Sequence, residues 1–256
     1  MMSNLLSERY RRLYQGYYGD GSVTAKRGMS AADALDHIRA LAGSESFHRV
    51  VDVGAGEGSL LQILDDAQFA HELYALEISP SGLQAIKDRN LRSLVEANPF
   101  DGYRIPYADN FFDLAILCHV LEHVEHERVL LHELRRVARR VVIEVPLEHG
   151  FRIDRKIAIS SRFGHINYYL PETVLNLLTT SGLRVIRAQV VCSSLRYEQH
   201  VAGRIRGLVM SRLRRTALRI WPRMAPWIFT YLFAAYCEPD SNAESVRRES
   251  PEPGRD

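Results

Sequence analysis

V50-V-D-V-G-A-G-E-G-S59 sets three branched apolar residues and one acid against three glycines at alternating positions. The apolar run lies in a segment, His48 to Val53, that reads as a buried strand. Gly54, Gly56 and Gly58 read as a sharp turn at its end. Glycine permits positive φ and lets another group approach the backbone closely. The stretch therefore predicts a strand whose carboxyl end receives a ligand.

Outward from this turn a regular alternation runs along the chain. Helices are expected at 59–66, 80–89, 125–138 and 171–181, the last closed by Gly182. Strands are expected at 48–53, 72–78, 92–96, 112–118, 140–145, 183–191 and 229–237. Strands that alternate with helices and read as solid apolar runs imply a parallel sheet covered on both faces. The fold class is α/β: a Rossmann-like, doubly wound, mostly parallel seven-stranded sheet. A helical N-terminal cap at 1–46 precedes the main domain at 47–237. Residues 192–226 form an arginine-rich helical insertion between strands six and seven. The Pro-, Ser-, Glu- and Arg-rich segment 238–256 reads as a disordered tail. In such sheets ligands sit at the carboxyl ends of strands, near a switch in strand order.

The 256 residues are 46% apolar and 25% charged with a net charge of +2, which suits a globular chain and does not by itself imply nucleic acid. Cys118, Cys192 and Cys237 form no CxxC pair, as expected in a reducing cytoplasm. The first residues, MMSNLLSERYRRLYQGYY, contain no apolar signal core. The longest apolar patch, Trp227 to Cys237, falls short of the roughly 20 residues a membrane-spanning helix needs.

The glycine spacing narrows the ligand. GxGxG is not the GxGxxG of dinucleotide sites, and no Lys-Ser/Thr follows for a phosphate loop. Glu57 inside the turn would repel a phosphate, so a ligand with a cationic end fits better. Glu77 ends the second strand, where a carboxylate can accept both hydroxyls of a ribose. Asp101 follows the third strand within reach of an adenine amine.

VVDVGAGEG, LEIS and FDGYRIPYADNFFDLAILCHVLEHV, with F163-GHINYYLPETVLNLLTTSGLRVI186 further on, together resemble the class I S-adenosylmethionine-dependent methyltransferases of the type 11 kind. The resemblance covers about residues 47–191. It implies that Gly54, Ala55 and Gly56 approach the methionine portion of the cofactor. Asp52 would anchor the turn or meet the ammonium, Glu77 with Ile78 would hold the ribose, and Asp101 with Gly102 would flank the adenine. Cys118 and His119 would lie where strand four meets the cofactor. Ala55 stands where the family often has cysteine, and Glu57 where it often has Ser or Thr.

H119-VLEHVEH126 also contains H-x-x-E-H, a zinc hydrolase pattern in which His119 and His123 would share a helix face beside Glu122. Short motifs match by chance, and no metal is expected here. Methyl transfer to a hydroxyl needs a group that removes its proton. The candidates are His165, His123 and His119, with His149 also in reach of the working face.

Seven arginines between Arg204 and Arg223 alternate with Leu208, Val209, Leu213, Leu218, Ile220 and Trp221. This insertion reads as a lid over an anionic acceptor, an amphipathic contact with a membrane surface, or a dimer interface. The expected activity is methyl transfer, at oxygen, to a small-molecule, glycan or lipid-linked acceptor. A non-catalytic cofactor-binding partner protein and an RNA methyltransferase remain as alternatives. No RNA-binding module is present in the sequence, which disfavours nucleic acid.

Overall fold

The structure, a computed structural model, describes residues 24–241. The expected cap before residue 24 and the tail beyond residue 241 lie outside the described residues. The elements follow in chain order as α1 (Thr24–Ala42), β1 (Phe47–Val53), α2 (Ser59–Asp66), β2 (Ala70–Glu77), α3 (Pro80–Asp88), β3 (Leu94–Pro99) and β4 (Phe112–Cys118). They continue as α4 (Glu127–Val137), β5 (Ala138–Leu147), α5 (Ile153–Ser160), α6 (Pro171–Thr180), β6 (Leu183–Val191), α7 (Leu195–Ala202), α8 (Arg204–Ile220), α9 (Ala225–Ile228) and β7 (Tyr231–Pro239).

The strands form one seven-stranded sheet in the order β3-β2-β1-β4-β5-β7-β6. β1 to β5 run parallel, and β7 lies antiparallel between β5 and β6. β6 therefore points the same way as β5, and its carboxyl end opens on the working face. Strand order reverses between β1 and β4, so the glycine turn stands at the switch point.

Alternation along β1 explains the two cores. Val51 and Val53 face one side, where α4 contributes Leu130 and Leu134 and α6 contributes Val174 and Leu178. Val50 faces the other side, where α1 brings Leu35 and Ile38 and α2 brings Leu61 and Leu64. Successive strand residues point to opposite faces, and each face carries its own helix layer. α3 starts on Ser79, whose hydroxyl accepts the Gly82 amide, and Pro80 occupies the first helical position.

Three features differ from the sequence reading. β3 runs to Pro99, further toward the working face than expected, because it pairs with β2 as far as Glu77. α5 and the 3-10 turns at Leu121–His123 and Ser161–Phe163 fall in segments where no element was expected. β7 continues to Pro239, so residues 238 and 239 belong to the sheet and not to a disordered tail. Their polar composition misleads because Glu238 is held between Arg140, at 2.9 Å, and Arg184.

Candidate functional site

The glycine turn is held by backbone and one carboxylate. Gly54 (φ 77°), Gly56 (φ 60°) and Gly58 (φ 80°) all take the left-handed conformation. A Cβ on Gly54 would lie 2.5 Å from Cγ2 of Val120, so the turn also needs glycine for packing. The amides of Gly54 and Ala55 donate to the Leu76 carbonyl at 2.8 and 3.1 Å. Gly56 donates its amide to Glu77 Oε2 at 2.7 Å, and Ser79 donates to Oε1 at 2.8 Å. The Ile78 backbone also hydrogen-bonds this carboxylate. The anchoring expected of Asp52 thus falls to Glu77 and Leu76. Three backbone donors leave one of the carboxylate's roughly four lone-pair sites for a ligand hydroxyl.

Electrostatics at the turn favour a cation. Burial, followed by the neighbouring charges of Glu77 and Glu57, pushes the Asp52 carboxyl up to about 7. Burial likewise raises Glu77 to about 7, against the backbone amides that stabilise its charge. Glu57 does not present a free charge to a ligand, contrary to the sequence reading. It pairs with Arg27 of α1 at 3.6 Å and with Arg89 at 3.5 Å. Asp52 and Glu77 are left as two buried acids that a positively charged group would relieve. The residues at the turn therefore fit the cationic methionine end of S-adenosylmethionine.

Asp101 lies beyond the end of β3. Its Oδ1 accepts the amides of Tyr103 and Arg104 at 2.9 and 2.7 Å, an Asx turn that Gly102 (φ 91°) permits. Cys118 ends β4, and burial pushes its thiol pKa well up, which disfavours the thiolate.

The histidines converge, but not as the helical zinc pattern expects. His119 takes a left-handed conformation (φ 56°) just past β4, and His123 ends a separate 3-10 turn. The two therefore do not share a helix face. His119 Nδ1 lies 3.4 Å from Glu122 Oε1, and its Nε2 lies 3.4 Å from Glu144 Oε1. The other Glu144 oxygen meets His37 of α1 at 2.6 Å. These carboxylates outweigh desolvation and hold His119 protonated well above the usual imidazole range. With the side chain 35% exposed, water both screens these carboxylates and eases the desolvation of the charged ring. Its partners hold Glu144 down to about 2, although burial opposes them.

His165 sits in the loop after α5. Its Nδ1 meets Glu148 Oε2 at 2.7 Å, and its ring packs edge-on to His123 with centroids 4.7 Å apart. Ligand atoms of Glu122, His123 and His165 all lie within 4.8 Å of one another. The loop is fixed there by backbone: Ile166 and Asn167 donate their amides to the Glu122 carbonyl at 2.8 and 3.1 Å. His149 lies apart from this cluster, against Trp227 and beside a cavity of about 410 Å³. A second cavity of about 540 Å³ opens at the carboxyl end of β6, between His37 of α1 and Arg215 of α8.

Sequence reading missed Glu144, Glu148 and His37. An acid inside the apolar run R140-VVIEV145 was a visible signal for Glu144. Nothing local distinguishes His37, whose partner is 107 residues away.

Residues 51–141 match the family model described as a methyltransferase domain. The ubiquinone/menaquinone biosynthesis C-methyltransferase UbiE of Burkholderia multivorans is 33% identical over 95 residues, 36% of this chain and 39% of that protein. Norajmaline N-methyltransferase of Rauvolfia serpentina is 26% identical over 137 residues, 49% of this chain and 47% of that protein. The matched stretch thus spans less than half of either relative. A SAM-dependent methyltransferase from Aquifex aeolicus superposes with a TM-score of 0.54 at 17% identity, covering 89% of this chain and 97% of that one, which shows a shared fold.

Proposed function

We infer that this class I S-adenosylmethionine-dependent methyltransferase domain methylates an oxygen of a small-molecule, glycan or lipid-linked acceptor. The observation that carries the reading is Glu77, buried at the end of β2 and hydrogen-bonded to the glycine turn, within the stretch that matches a methyltransferase domain. Bound there, S-adenosylmethionine supplies an electrophilic methyl carbon for the acceptor oxygen, and the C–S electron pair stays on sulfur. Asp52 faces the cationic end, Glu77 accepts from the ribose, and Asp101 with Gly102 flanks the adenine. Gly54 and Gly56 clear the space, with Ala55 and Cys118 along the wall.

Deprotonation of the acceptor hydroxyl is assigned to the cluster of Glu122, His123 and His165. His119 is held protonated, so it is a positioning residue that ties Glu122 to Glu144. Burial lowers the His123 pKa and keeps that ring neutral. The preference for oxygen rests on this cluster, while the relatives named above carry C- and N-methyltransferase names.

A lipid-linked acceptor is favoured by the surface of α8. Ile205, Val209 and Leu213 are 80%, 57% and 48% exposed and follow one another at helical spacing. Trp221 and Met224 extend the patch, and Arg206, Arg212 and Arg219 stand exposed around it. Phe151 is exposed too, and its amide donates to the Trp227 carbonyl at 2.7 Å. An apolar stripe rimmed by arginine suits an anionic membrane surface. Among the described residues no helix is long and apolar enough to cross a membrane.

Calorimetric titration of S-adenosylhomocysteine into wild type and Glu77→Ala tests the cofactor reading. Binding to wild type that weakens by about 1.5–3 kcal/mol in the variant is the expected result. No binding to wild type overturns it.

A further inference from the structure

We propose that Glu122, His123 and His165 form a binding site for one divalent transition-metal ion, supported from behind by Glu148. Three independent features point to it. First, the donors are two imidazoles and one carboxylate, a set that suits zinc, cobalt and neighbouring ions. Their ligand atoms already lie within 4.8 Å of one another. A tetrahedral ion with bonds of about 2 Å needs ligand atoms about 3.3 Å apart, a gap that side-chain rotation can close.

Second, Glu122 is 1% exposed, and its Oε2 is buried with no hydrogen-bond partner. Its other oxygen faces His119 at 3.4 Å. A buried carboxylate oxygen without a donor is costly in a protein interior, and an ion is one way to satisfy it.

Third, both rings already have a hydrogen-bond partner outside the ligand set. Glu148 holds Nδ1 of His165 at 2.7 Å, which leaves Nε2 as the other ring nitrogen. The Gly164 backbone hydrogen-bonds the His123 ring. Histidines that bind metal characteristically use the other nitrogen in this way, on a carboxylate or a backbone carbonyl. A purely structural role accounts for the backbone docking of Ile166 and Asn167 on Glu122, but not for the unsatisfied oxygen.

Three protein ligands leave positions open for oxygen donors, water or an acceptor hydroxyl. That last step rests on the methyltransferase reading. A hydroxyl bound to the ion ionises more readily, its proton passing to solvent water, and no imidazole need take it. The cluster then prepares the acceptor oxygen through the ion.

The test uses the untagged full chain, stripped with chelator and titrated with Zn²⁺ and with Co²⁺. Bound metal is counted by elemental analysis, and Co²⁺ is followed by its visible absorption. Wild type should take up about one ion per chain, and Glu148→Gln should bind about 10–100-fold more weakly. His123→Ala/His165→Ala should bind none, while His149→Ala binds as wild type. Thermal melts and S-adenosylhomocysteine titrations on the same samples show whether each variant is folded. Wild type that stays metal-free, or a folded double variant that keeps its ion, overturns the site. Metal uptake without S-adenosylhomocysteine binding leaves the site standing and removes the cofactor reading. The reverse pattern removes the site alone.

Discussion

The two halves of the sheet build their parts of the site by different means. On the β3-β2-β1-β4 side, the turn is made of backbone, with glycine conformations and amide donors arranged around Glu77. On the β5-β7-β6 side, the site is made of side chains from segments far apart in sequence: His37, Glu122, Glu144, Glu148 and His165. A backbone-built site leaves its record in glycine spacing. A side-chain-built site leaves almost none until the chain is folded. The first suits a part of the ligand that is always the same, and the second suits a part that varies.

The largest effect that could break this contrast is expected at Glu144. It is 2% exposed and joins α1 to the end of β4 through His37 and His119. Removing one partner of a buried ion pair costs about 3–5 kcal/mol. Here the freed imidazoles can shed their protons, so Glu144→Ala is expected at the lower end, about 3 kcal/mol. The melting temperature should fall by roughly 6–12 °C. Cofactor affinity should change far less, because the turn does not use this residue. A melt unchanged from wild type would show the network to be ornamental. Equal losses of stability and cofactor affinity would mean that the two halves are one unit.

Next in size is Glu77, the corresponding residue on the other side. Glu77→Ala removes the acceptor for the Gly56 and Ser79 amides as well as for the ligand. Affinity for S-adenosylhomocysteine should drop by about 1.5–3 kcal/mol, and Glu77→Gln should recover part of it. If Gln binds no better than Ala, the charge and not the hydrogen-bonding shape matters most.

How legible each half was follows the same division. The order of elements, the sheet class and the turn were readable because continuous apolar runs and turn glycines are local signals. β7 was readable as a strand, but its last two residues were hidden by their polarity. Of the site residues, Glu77 stood out as an acid at the end of an apolar strand. His165 and His123 were named for their chemistry, yet their meeting at Glu122 depends on backbone bonds from Ile166 and Asn167 that no spacing reveals. Glu57 was misread because its partners, Arg27 on α1 and Arg89 just past α3, are distant in sequence.

A smaller effect is expected from pH, and it sharpens the electrostatic side of the comparison. Asp52 and Glu77 both have carboxyls raised to about 7. An acid raised in the folded state binds more protons there than when unfolded. Its contribution to stability therefore falls as pH rises from about 4 through 7. A cationic ligand prefers the ionised acids, so cofactor affinity should rise in that upper range. Between pH 6 and pH 8 a gain of roughly three- to tenfold is expected by calorimetry, flattened in Glu77→Gln. Affinity that falls over this window would mean that the acids bind the ligand protonated.

The smallest effect on stability, and the most specific on location, belongs to α8. Its inward face carries Gly207, Ser211 and Ala217, and a Cβ on Gly207 would strike the backbone of α7 at 2.6 Å. Among the described residues its outward stripe is largely exposed. Ile205→Glu/Val209→Glu should therefore shift stability by no more than about 0.5 kcal/mol per site. The same change should sharply reduce flotation with vesicles containing anionic lipid, because apolar area is lost and negative charge is added beside the arginines. Neutral vesicles should bind poorly in either case. If wild type ignores both kinds of vesicle, the stripe is not a membrane contact, and the lipid-linked acceptor loses its support. If the variant also loses stability, the stripe packs against something the isolated chain supplies, and the variable half of the site extends further than the histidine cluster.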